Sequence, residues 1–301
     1  MNSKQEVYEY LNSKGWVKLD DYEEQVVLLG SGESNTNFLI TANELSGEVQ
    51  YLFRVNHLSR LGLMDHVEYE FAVLQAVRRS GVTPRPFYCD SEPGSLGMGV
   101  MLMEYLEGRP LVCNDDWKVA AEILAKVHCV PAGVRLIEQK NPVSDSVRQC
   151  RKIIEKIGTR EDGDEVLAQL GVSIEKLEYI AGEVEEFCDD DFPVIVNGSV
   201  CPSDFLIDDE DVDEDEDKTG VLVDWECGVV SSRYVDMGSF FVQASLAGEF
   251  GYCRDDDEKK RFSEAYMNAA GLDVPVEEFV RRANLFEQAA VIRSRILKSD
   301  V

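Results

Sequence analysis

Short apolar runs separated by polar loops predict β-strands in the first third of the chain. The runs are rich in β-branched and aromatic residues and are too short for helices. The strands are expected at residues 26–29, 38–41, 49–55, 87–89 and 100–103. The first three are expected to be antiparallel neighbours with a glycine-rich first turn. A helix is predicted over roughly 67–79, where Glu70, Val73, Leu74 and Val77 recur at helical spacing.

Beyond residue 110 the pattern becomes mainly helical. Helices are expected at roughly 117–127, 144–157, 174–187, 234–247, 257–270 and 276–297, and a short amphipathic helix is expected at 3–12. Short strands are expected at 194–196, 205–207 and 221–223, and the last two should pair as a hairpin. The fold class predicted from this order is α+β, with an antiparallel sheet region followed by a larger helical region.

One segment between the two regions has the composition of a hinge. Residues 104–110, with the sequence EYLEGRP, lead from a strand into glycine and proline. We therefore expect an N-terminal lobe at 1–104, a hinge at 105–110 and a helical C-terminal lobe at 111–301, which contains a loop region at 194–226.

Composition narrows the class of protein. The 301 residues are 44% hydrophobic, which is typical of a globular chain that buries a core. No apolar run approaches the ~20 residues of a membrane span, and the first residues lack the apolar core of a signal peptide. The eight cysteines are scattered singly and the three histidines lack ligand spacing, so free thiols are expected and a zinc or iron centre is not. A cytoplasmic protein is expected.

The formal net charge of −28 bears on possible partners. Such a field repels nucleic acid and anionic membranes, and neither is expected as a partner. A basic protein partner is one interpretation of the charge. The favoured interpretation is halophilic, a cytosol of very high salt in which screening removes the self-repulsion of acidic residues spread over the whole chain.

The loop after the first predicted strand is a candidate phosphate-binding turn. Gly30 and Gly32 allow backbone N–H groups to approach a phosphate closely, and Ser34 and Asn35 add polar contacts. The alternative is an ordinary hairpin turn, since a single G-x-G pair is weakly specific.

Two further positions suggest charge chemistry. Arg54 lies in an apolar strand and Glu70 on the following helix, so the two side chains can pair and place the cation over nucleotide phosphates. The alternative is a surface salt bridge of little energetic value. His128, at the end of a predicted helix, is expected to be a structural histidine and not a general base.

The region 194–226 combines a polar loop with a strand that ends on Asp224. A carboxylate and an amide brought together there suit Mg²⁺-dependent phosphoryl transfer. The acidic tract at 208–217 lies between its last two strands. It lacks the EF-hand pattern, and a solvated loop is favoured over a Ca²⁺ site or a surface for a basic partner.

Taken in order, these pieces resemble the aminoglycoside phosphotransferase/choline kinase family, which has a protein-kinase-like fold. The matching segments are GSGESNTN (30–37), Arg54 and Glu70, MLMEYLEGRPL (101–111), AAEILAKVH (120–128) and VLVDWECGVVSSRYVDMGSF (221–240). The resemblance implies a bilobal fold and an ATP- and Mg²⁺-dependent phosphotransferase acting on a small-molecule hydroxyl group.

The resemblance also implies roles for individual residues. Those implied to bind the nucleotide are Gly30, Gly32, Ser34, Asn35, Arg54, Glu70, Glu104 and Leu106, with the last two at an adenine-binding hinge. Asp224 and Asp204 are implied as Mg²⁺ ligands, and the catalytic positions correspond to Ser199, Asp204 and Asp224.

The catalytic loop departs from the family pattern H-G-D-x-x-x-x-N. Asn197 stands at the histidine, Ser199 at the catalytic aspartate and Asp204 at the metal-binding asparagine. Serine cannot accept a proton as a carboxylate does, so transfer is expected to be slow. The carboxylates at 189–191 precede the strand and are not expected to replace the base. The alternative function is a pseudokinase, a catalytically impaired nucleotide-binding regulatory or scaffolding module. A nucleotide-free interaction protein is a third, less favoured reading.

Overall fold

The computed structural model divides the chain into two compact units, residues 1–108 with 221–228 and residues 109–220 with 229–301. The residues that the structure describes are 3–32, 34–45, 47–97, 99–133, 136–159, 163–188, 191–208, 218–246, 252–253 and 255–299. Most of the acidic tract and the carboxylates at 189 and 190 lie outside the described residues. Residues 221–228, assigned to the C-terminal lobe from the sequence, cluster with the first unit.

The first unit contains an antiparallel five-stranded sheet. Its strands are β1 (Val26–Ser31), β2 (Asn35–Glu44), β3 (Gly47–Asn56), β4 (Pro86–Asp90) and β5 (Gly99–Glu104), in the order β1-β2-β3-β5-β4. The helices are α1 (Lys4–Lys14), α2 (Tyr22–Gln25) and α3 (His66–Val77). All five predicted strands are present, and they are longer than the apolar runs indicated. The one-turn helix α2 was not predicted.

The two faces of this sheet have different surroundings. Residues directly opposite each other on paired strands share a face. Phe38, Phe53 and Leu102 form one such row and belong to the core cluster that also contains Val7 and Leu11 of α1. The opposite face carries the next residue of each strand and is therefore the face on which a functional site can form.

The second unit is mainly helical. Its helices are α4 (Cys113–His128), α5 (Pro142–Ile157), α6 (Gly163–Cys188), α7 (Tyr234–Ser245), α8 (Asp256–Ala270) and α9 (Val276–Lys298). Its short strands are β6 (Arg109–Pro110), β7 (Val194–Val196), β8 (Phe205–Asp208), β9 (Thr219–Leu222) and β10 (Val229–Ser231), and β9 ends in the first unit.

The short strands form two small sheets. β8 and β9 are neighbours, as the predicted hairpin requires, and β6 pairs on the other side of β8. β7 pairs with β10 in a separate sheet. Neither β6, inside the expected hinge at 105–110, nor β10 was predicted. Strands of two or three residues are too short to show a periodic pattern.

In the part of the chain that the structure describes, no helix is both long and apolar enough to cross a membrane.

Asp116 is a fully buried carboxylate near the start of α4. It accepts hydrogen bonds from Arg109 at 2.6 and 3.1 Å, from Lys218 at 2.8 Å and from the backbone N–H of Val112 at 2.9 Å. Burial alone raises the pKa of this carboxyl, but the hydrogen bonds from Arg109 and Lys218 outweigh burial and lower the pKa to about 2. The charged form is therefore the one that the fold stabilises.

Asp116→Asn is expected to lower the free energy of unfolding by about 2 kcal/mol at pH 7. The folded pKa lies below the unfolded value of ~3.9, so this stability is present above pH ~4 and is lost as the pH falls towards the folded pKa of about 2. Urea unfolding of both proteins between pH 7 and pH 3 measures the difference. Asp115→Asn, at the exposed neighbouring position, is the matched control. A difference that did not shrink in acid would contradict the prediction.

Candidate active site

The glycine-rich loop is a tight hairpin between β1 and β2. The backbone N–H of Gly32, the residue after the end of β1, donates to the carbonyl of Asn35, the first residue of β2, at 2.8 Å. A Cβ added at Gly32 would meet only the Asn35 carbonyl, at 3.9 Å, and one at Gly30 would meet nothing within 4 Å. The glycines therefore leave the backbone on this side of the loop open to a ligand.

The polar side chains of the loop are held by neighbours. Ser34 is 6% exposed, and its Oγ accepts from Arg60 Nε at 3.3 Å. The side chain of Asn35 accepts from Asn37 Nδ2 at 3.2 Å. The roles of Ser34 and Asn35 as phosphate contacts stay predictions, and the structure ties Ser34 to a residue that the sequence analysis did not select.

Arg54 and Glu70 form the ion pair that their spacing predicted. Arg54 Nη1 lies 2.8 Å from Glu70 Oε1, both residues are buried, and Arg54 Nε donates to Asn37 Oδ1 at 3.3 Å. The surface salt bridge considered as the alternative is therefore wrong. Burial raises the pKa of Glu70. Burial opposes the charge of Arg54, but attraction by Glu70 and Asp224 prevails and raises the pKa of Arg54.

Asp224 lies in the loop after β9 in a strained conformation. Its φ of 60° is in the left-handed region, which is uncommon for a residue with a side chain and is found at functional sites. Trp225, 1% exposed, anchors the turn by donating from Nε1 to the Leu222 carbonyl at 3.0 Å. The Asp224 side chain is 41% exposed, and its Oδ1 lies 3.9 Å from Arg54 Nη1. This carboxylate is thus presented beside the buried cation and within reach of solvent.

The far side of the same loop is attached to α3. Tyr69 Oη donates to the Gly228 carbonyl at 2.8 Å. A Cβ at Gly228 would lie 2.6 Å from Val73 Cγ1, so only glycine allows this approach. The helix that carries Glu70 therefore also positions the loop that carries Asp224.

Arg60 and Glu226 are site residues that the sequence analysis missed. Arg60 Nε lies 2.6 Å from Glu226 Oε1. Glu226 stands two positions after Asp224, and burial together with the Asp224 charge raises its pKa. Glu226 was visible in the motif VDWE, but nothing in the sequence distinguishes Arg60 from an ordinary surface arginine.

The hinge residues Glu104 and Leu106 are placed differently. Glu104 ends β5, its N–H donates to the Arg85 carbonyl at 2.8 Å, and its carboxylate binds the Arg85 side chain. A contact from the Glu104 backbone to an adenine is thus left to its carbonyl. Leu106 is half-buried in the loop beyond β5. The adenine-binding role of both residues stays a prediction.

An apolar row crosses the sheet face that bears Arg54. Val27 pairs with Leu39, Leu39 with Leu52, and Leu52 with Met103, so the four side chains share that face. Val27 is 40% exposed and Met103 is buried. The row next to it contains Arg54, so a flat apolar ring would lie beside a cation on this face.

The loop after β7 belongs to the second unit and is braced by α7. Asp236 accepts from the backbone N–H groups of Asn197 and Gly198, both at 2.8 Å. His128 Nε2 lies 3.1 Å from the same carboxylate, and His128 Nδ1 lies 2.7 Å from Tyr266 Oη. This buried network confirms the structural role expected for His128. Its effect is to fix the backbone immediately before Ser199.

Ser199 and Asp204, which the resemblance assigns to catalytic positions, lie on this braced loop. Ser199 is exposed, and its backbone N–H donates to Asn197 Oδ1 at 3.2 Å. Asp204 Oδ2 accepts from the Cys201 backbone at 2.8 Å. Asp191, considered as a replacement base, instead accepts from Ser232 Oγ and Arg233 Nε. Asp224 belongs to the first unit and these residues to the second.

The residues of the first unit suit a nucleotide and a magnesium ion. Mg²⁺ is usually held by one or two carboxylates together with phosphates and water, and the exposed Asp224 offers such oxygens. Among the described residues no cluster of three or more His, Cys, Asp or Glu side chains could hold a metal by itself, so the phosphates would have to complete the coordination. The open glycine hairpin and the cation Arg54 have the chemistry that phosphates require, and the apolar row has the chemistry that a flat base requires.

Comparison with known proteins bears on the fold and family. A family model described as the phosphotransferase enzyme family matches residues 25–281. No curated protein matches the sequence.

Solved structures resemble the chain over nearly its whole length. An ethanolamine kinase from Plasmodium vivax shares 12% identity at a TM-score of 0.65, over 96% of this chain and 79% of that one. A choline kinase from Cryptosporidium parvum Iowa II shares 13% identity at a TM-score of 0.66, over 98% and 95%. The streptomycin–ATP–APH(2")-IIa ternary complex shares 14% identity at a TM-score of 0.58, over 99% and 97%. These likenesses confirm the expected α+β, protein-kinase-like fold.

Proposed function

Because the chain belongs to the phosphotransferase enzyme family, we propose that it is an ATP- and Mg²⁺-dependent phosphotransferase that acts on a hydroxyl group of a small molecule. The observation that carries the proposal is the buried Arg54–Glu70 pair beside the exposed, left-handed Asp224. Together these residues place a fixed cation next to a carboxylate that can hold a metal ion.

The first unit would bind the nucleotide through three features. The row of Val27, Leu39, Leu52 and Met103 supports packing against the base. The hairpin with Gly30 and Gly32 leaves backbone open to the phosphates. Arg54, held by Glu70, would contact the α- and β-phosphates with a guanidinium that needs no rearrangement.

Asp224 would hold the metal ion through its carboxylate. When bound, Mg²⁺ neutralises charge on the phosphates, and ATP supplies the phosphoryl group that is transferred. The role of Asp204 as a further ligand rests on the family resemblance of its loop. One of its carboxylate oxygens already accepts a hydrogen bond from the Cys201 backbone N–H.

Ser199 makes slow transfer part of the proposal. A hydroxyl at the base position does not take the acceptor proton as a carboxylate does, and general-base help contributes typically ~10²–10⁴-fold. In a loose transition state positioning and charge stabilisation dominate, and both can persist without the base. The acceptor class is proposed from the printed names of the structural relatives, which include choline and ethanolamine kinases and a streptomycin complex.

A second candidate function is a nucleotide-binding pseudokinase. The specific observation in its favour is that a serine, Ser199, stands where the family resemblance has the catalytic aspartate, on a loop whose backbone is braced by Asp236. In that case the nucleotide site of the first unit would serve regulation or scaffolding, and no acceptor would be phosphorylated.

ATP with Mg²⁺ is expected to raise the free energy of unfolding by ~2.7 kcal/mol at a hundredfold excess over Kd. Thermal unfolding in molar KCl, with ATP in the presence and absence of Mg²⁺, measures this. Asp224→Asn should remove the part of the increase that depends on Mg²⁺, because it removes a charged ligand. Asp20→Asn, at an exposed position with the same change in charge, is the control. The proposal fails if the wild-type protein shows no increase with either addition.

A further inference from the structure

Arg60 occupies a position that the nucleotide-binding residues above leave unexplained. It lies in the connection between β3 and α3, and its side chain is 53% exposed. Its Nε lies 2.6 Å from Glu226 Oε1 and 3.3 Å from Ser34 Oγ. A single guanidinium thus bridges the tip of the glycine hairpin and the loop that carries Asp224, all within the first unit.

The connection around Arg60 is fastened to the hairpin. The backbone N–H of His57 donates to the Ser34 carbonyl at 2.7 Å, and His57 Nε2 lies 2.8 Å from Thr36 Oγ1. Ser59 Oγ accepts from the Leu63 backbone at 2.9 Å. The base of the Arg60 side chain is therefore held beside the phosphate-binding turn although the guanidinium is exposed.

The charges around Asp224 require a cation besides Arg54 if a polyphosphate is to bind there. Arg54 is already compensated by its buried partner Glu70, while Asp224 and Glu226 both add negative charge nearby. A polyphosphate that approaches Asp224 meets repulsion from both carboxylates unless cations offset it. Arg60 is the arginine that lies beside Glu226 and faces the hairpin tip.

The donor geometry of Arg60 suits phosphate. Both of its contacts use Nε, so the four N–H groups on the two terminal nitrogens make no hydrogen bonds to the described residues. A planar guanidinium presents paired donors that match phosphate oxygens, which a lysine does not. The Glu226 carboxylate at Nε would hold the plane of the group while its outer edge binds.

We propose that Arg60 is a second phosphate-binding cation of the nucleotide site, oriented by Glu226 and Ser34 and directed at the β- and γ-phosphates. The inference rests on the proposed function and goes beyond it by naming a residue that discriminates nucleotides by phosphate chain length. Ser34 accordingly acts by positioning Arg60 and not by contacting phosphate directly.

The test compares ligands that differ only in phosphate number. Kd values of the full-length protein for ATP, ADP and adenosine are measured in Mg²⁺ by calorimetry or competition. Arg60→Ala should raise the Kd for ATP by about 10- to 100-fold, which is the range of one or two charge-assisted hydrogen bonds. It should raise the Kd for adenosine by no more than about twofold. The Kd of Arg60→Lys for ATP should lie between those of the wild type and Arg60→Ala, because lysine keeps the charge but lacks the paired donors of the guanidinium.

Arg79→Ala is the matched control, since it removes an exposed arginine from the same unit. It should leave all three affinities within about twofold of wild type. If Arg60→Ala lowered the affinities for ATP, ADP and adenosine equally, Arg60 would have only a structural role and the inference would be overturned. An unchanged ATP affinity would overturn it as well. Failure of the wild-type protein to bind ATP would overturn both this inference and the proposed function. The two failures are distinguishable because the results for Arg60→Ala bear on this inference alone.

Discussion

Replacing Ser199 by aspartate is expected to raise the rate of phosphoryl transfer by about 10²–10⁴-fold, the usual contribution of a general base. The backbone before this position is already fixed, because Asp236 accepts from the N–H groups of Asn197 and Gly198. Ser199 is exposed, so a carboxylate can be accommodated without repacking a core. The substitution therefore places a proton acceptor at this position without disturbing the hydrogen bonds that fix the loop backbone.

The measurement is kcat for transfer from ATP to a panel that includes choline, ethanolamine and streptomycin. Ser199→Asn is the matched control, because it has the size of aspartate but carries no basic oxygen, and it should give no gain. If Ser199→Asp binds ATP as the wild type does and still transfers no faster to any acceptor, the result would favour the pseudokinase candidate over the slow enzyme.

Replacing Arg54 by methionine is expected to lower the free energy of unfolding by about 3–5 kcal/mol. Arg54 is 6% exposed and Glu70 is 2% exposed, so the substitution leaves a carboxylate buried without its cation. The cost exceeds that of any surface ion pair, which is typically about 0–1 kcal/mol. Urea unfolding in molar KCl measures the difference between the variant and the wild type.

A double variant separates the stabilising role of the pair from its binding role. Arg54→Met combined with Glu70→Met removes both charges, and apolar replacement of a buried pair is often neutral for stability. The double variant should therefore recover most of the lost stability but not the stabilisation by ATP. Arg79→Met, at an exposed site, is the control. A loss below ~1 kcal/mol in the single variant would mean that the Arg54–Glu70 pair behaves as a surface pair in solution.

Secondary structure was predictable wherever an element was long enough to show its period. The five strands of the first unit and helices such as α4, α7 and α9 follow from alternating or helical spacing. β6 and β10 were not found, because they contain two and three residues and are held by pairing with β8 and β7, distant in sequence. Their existence is a property of the packed chain.

Part of the candidate site was predictable for the same local reason. Arg54 stood out as a cation within an apolar strand, Glu70 as a carboxylate on the next helix, and Asp224 as the end of a strand. The left-handed φ of Asp224 was not predictable, since it depends on a buried Trp225 and on the contact of Gly228 with α3. The contact of Gly228 with α3 joins segments that are far apart along the chain.

The amino-acid sequence by itself determined the order of strands and helices, the kinase-like resemblance and the absence of a carboxylate at Ser199, because these depend on residue types and local periodicity. Only the tertiary structure decided that Ser34 turns inward to Arg60, that Arg60 meets Glu226 and that the Arg54–Glu70 pair is buried. Burial and long-range pairing arise when the first unit folds around its sheet, and a surface arginine and a site arginine look alike until then.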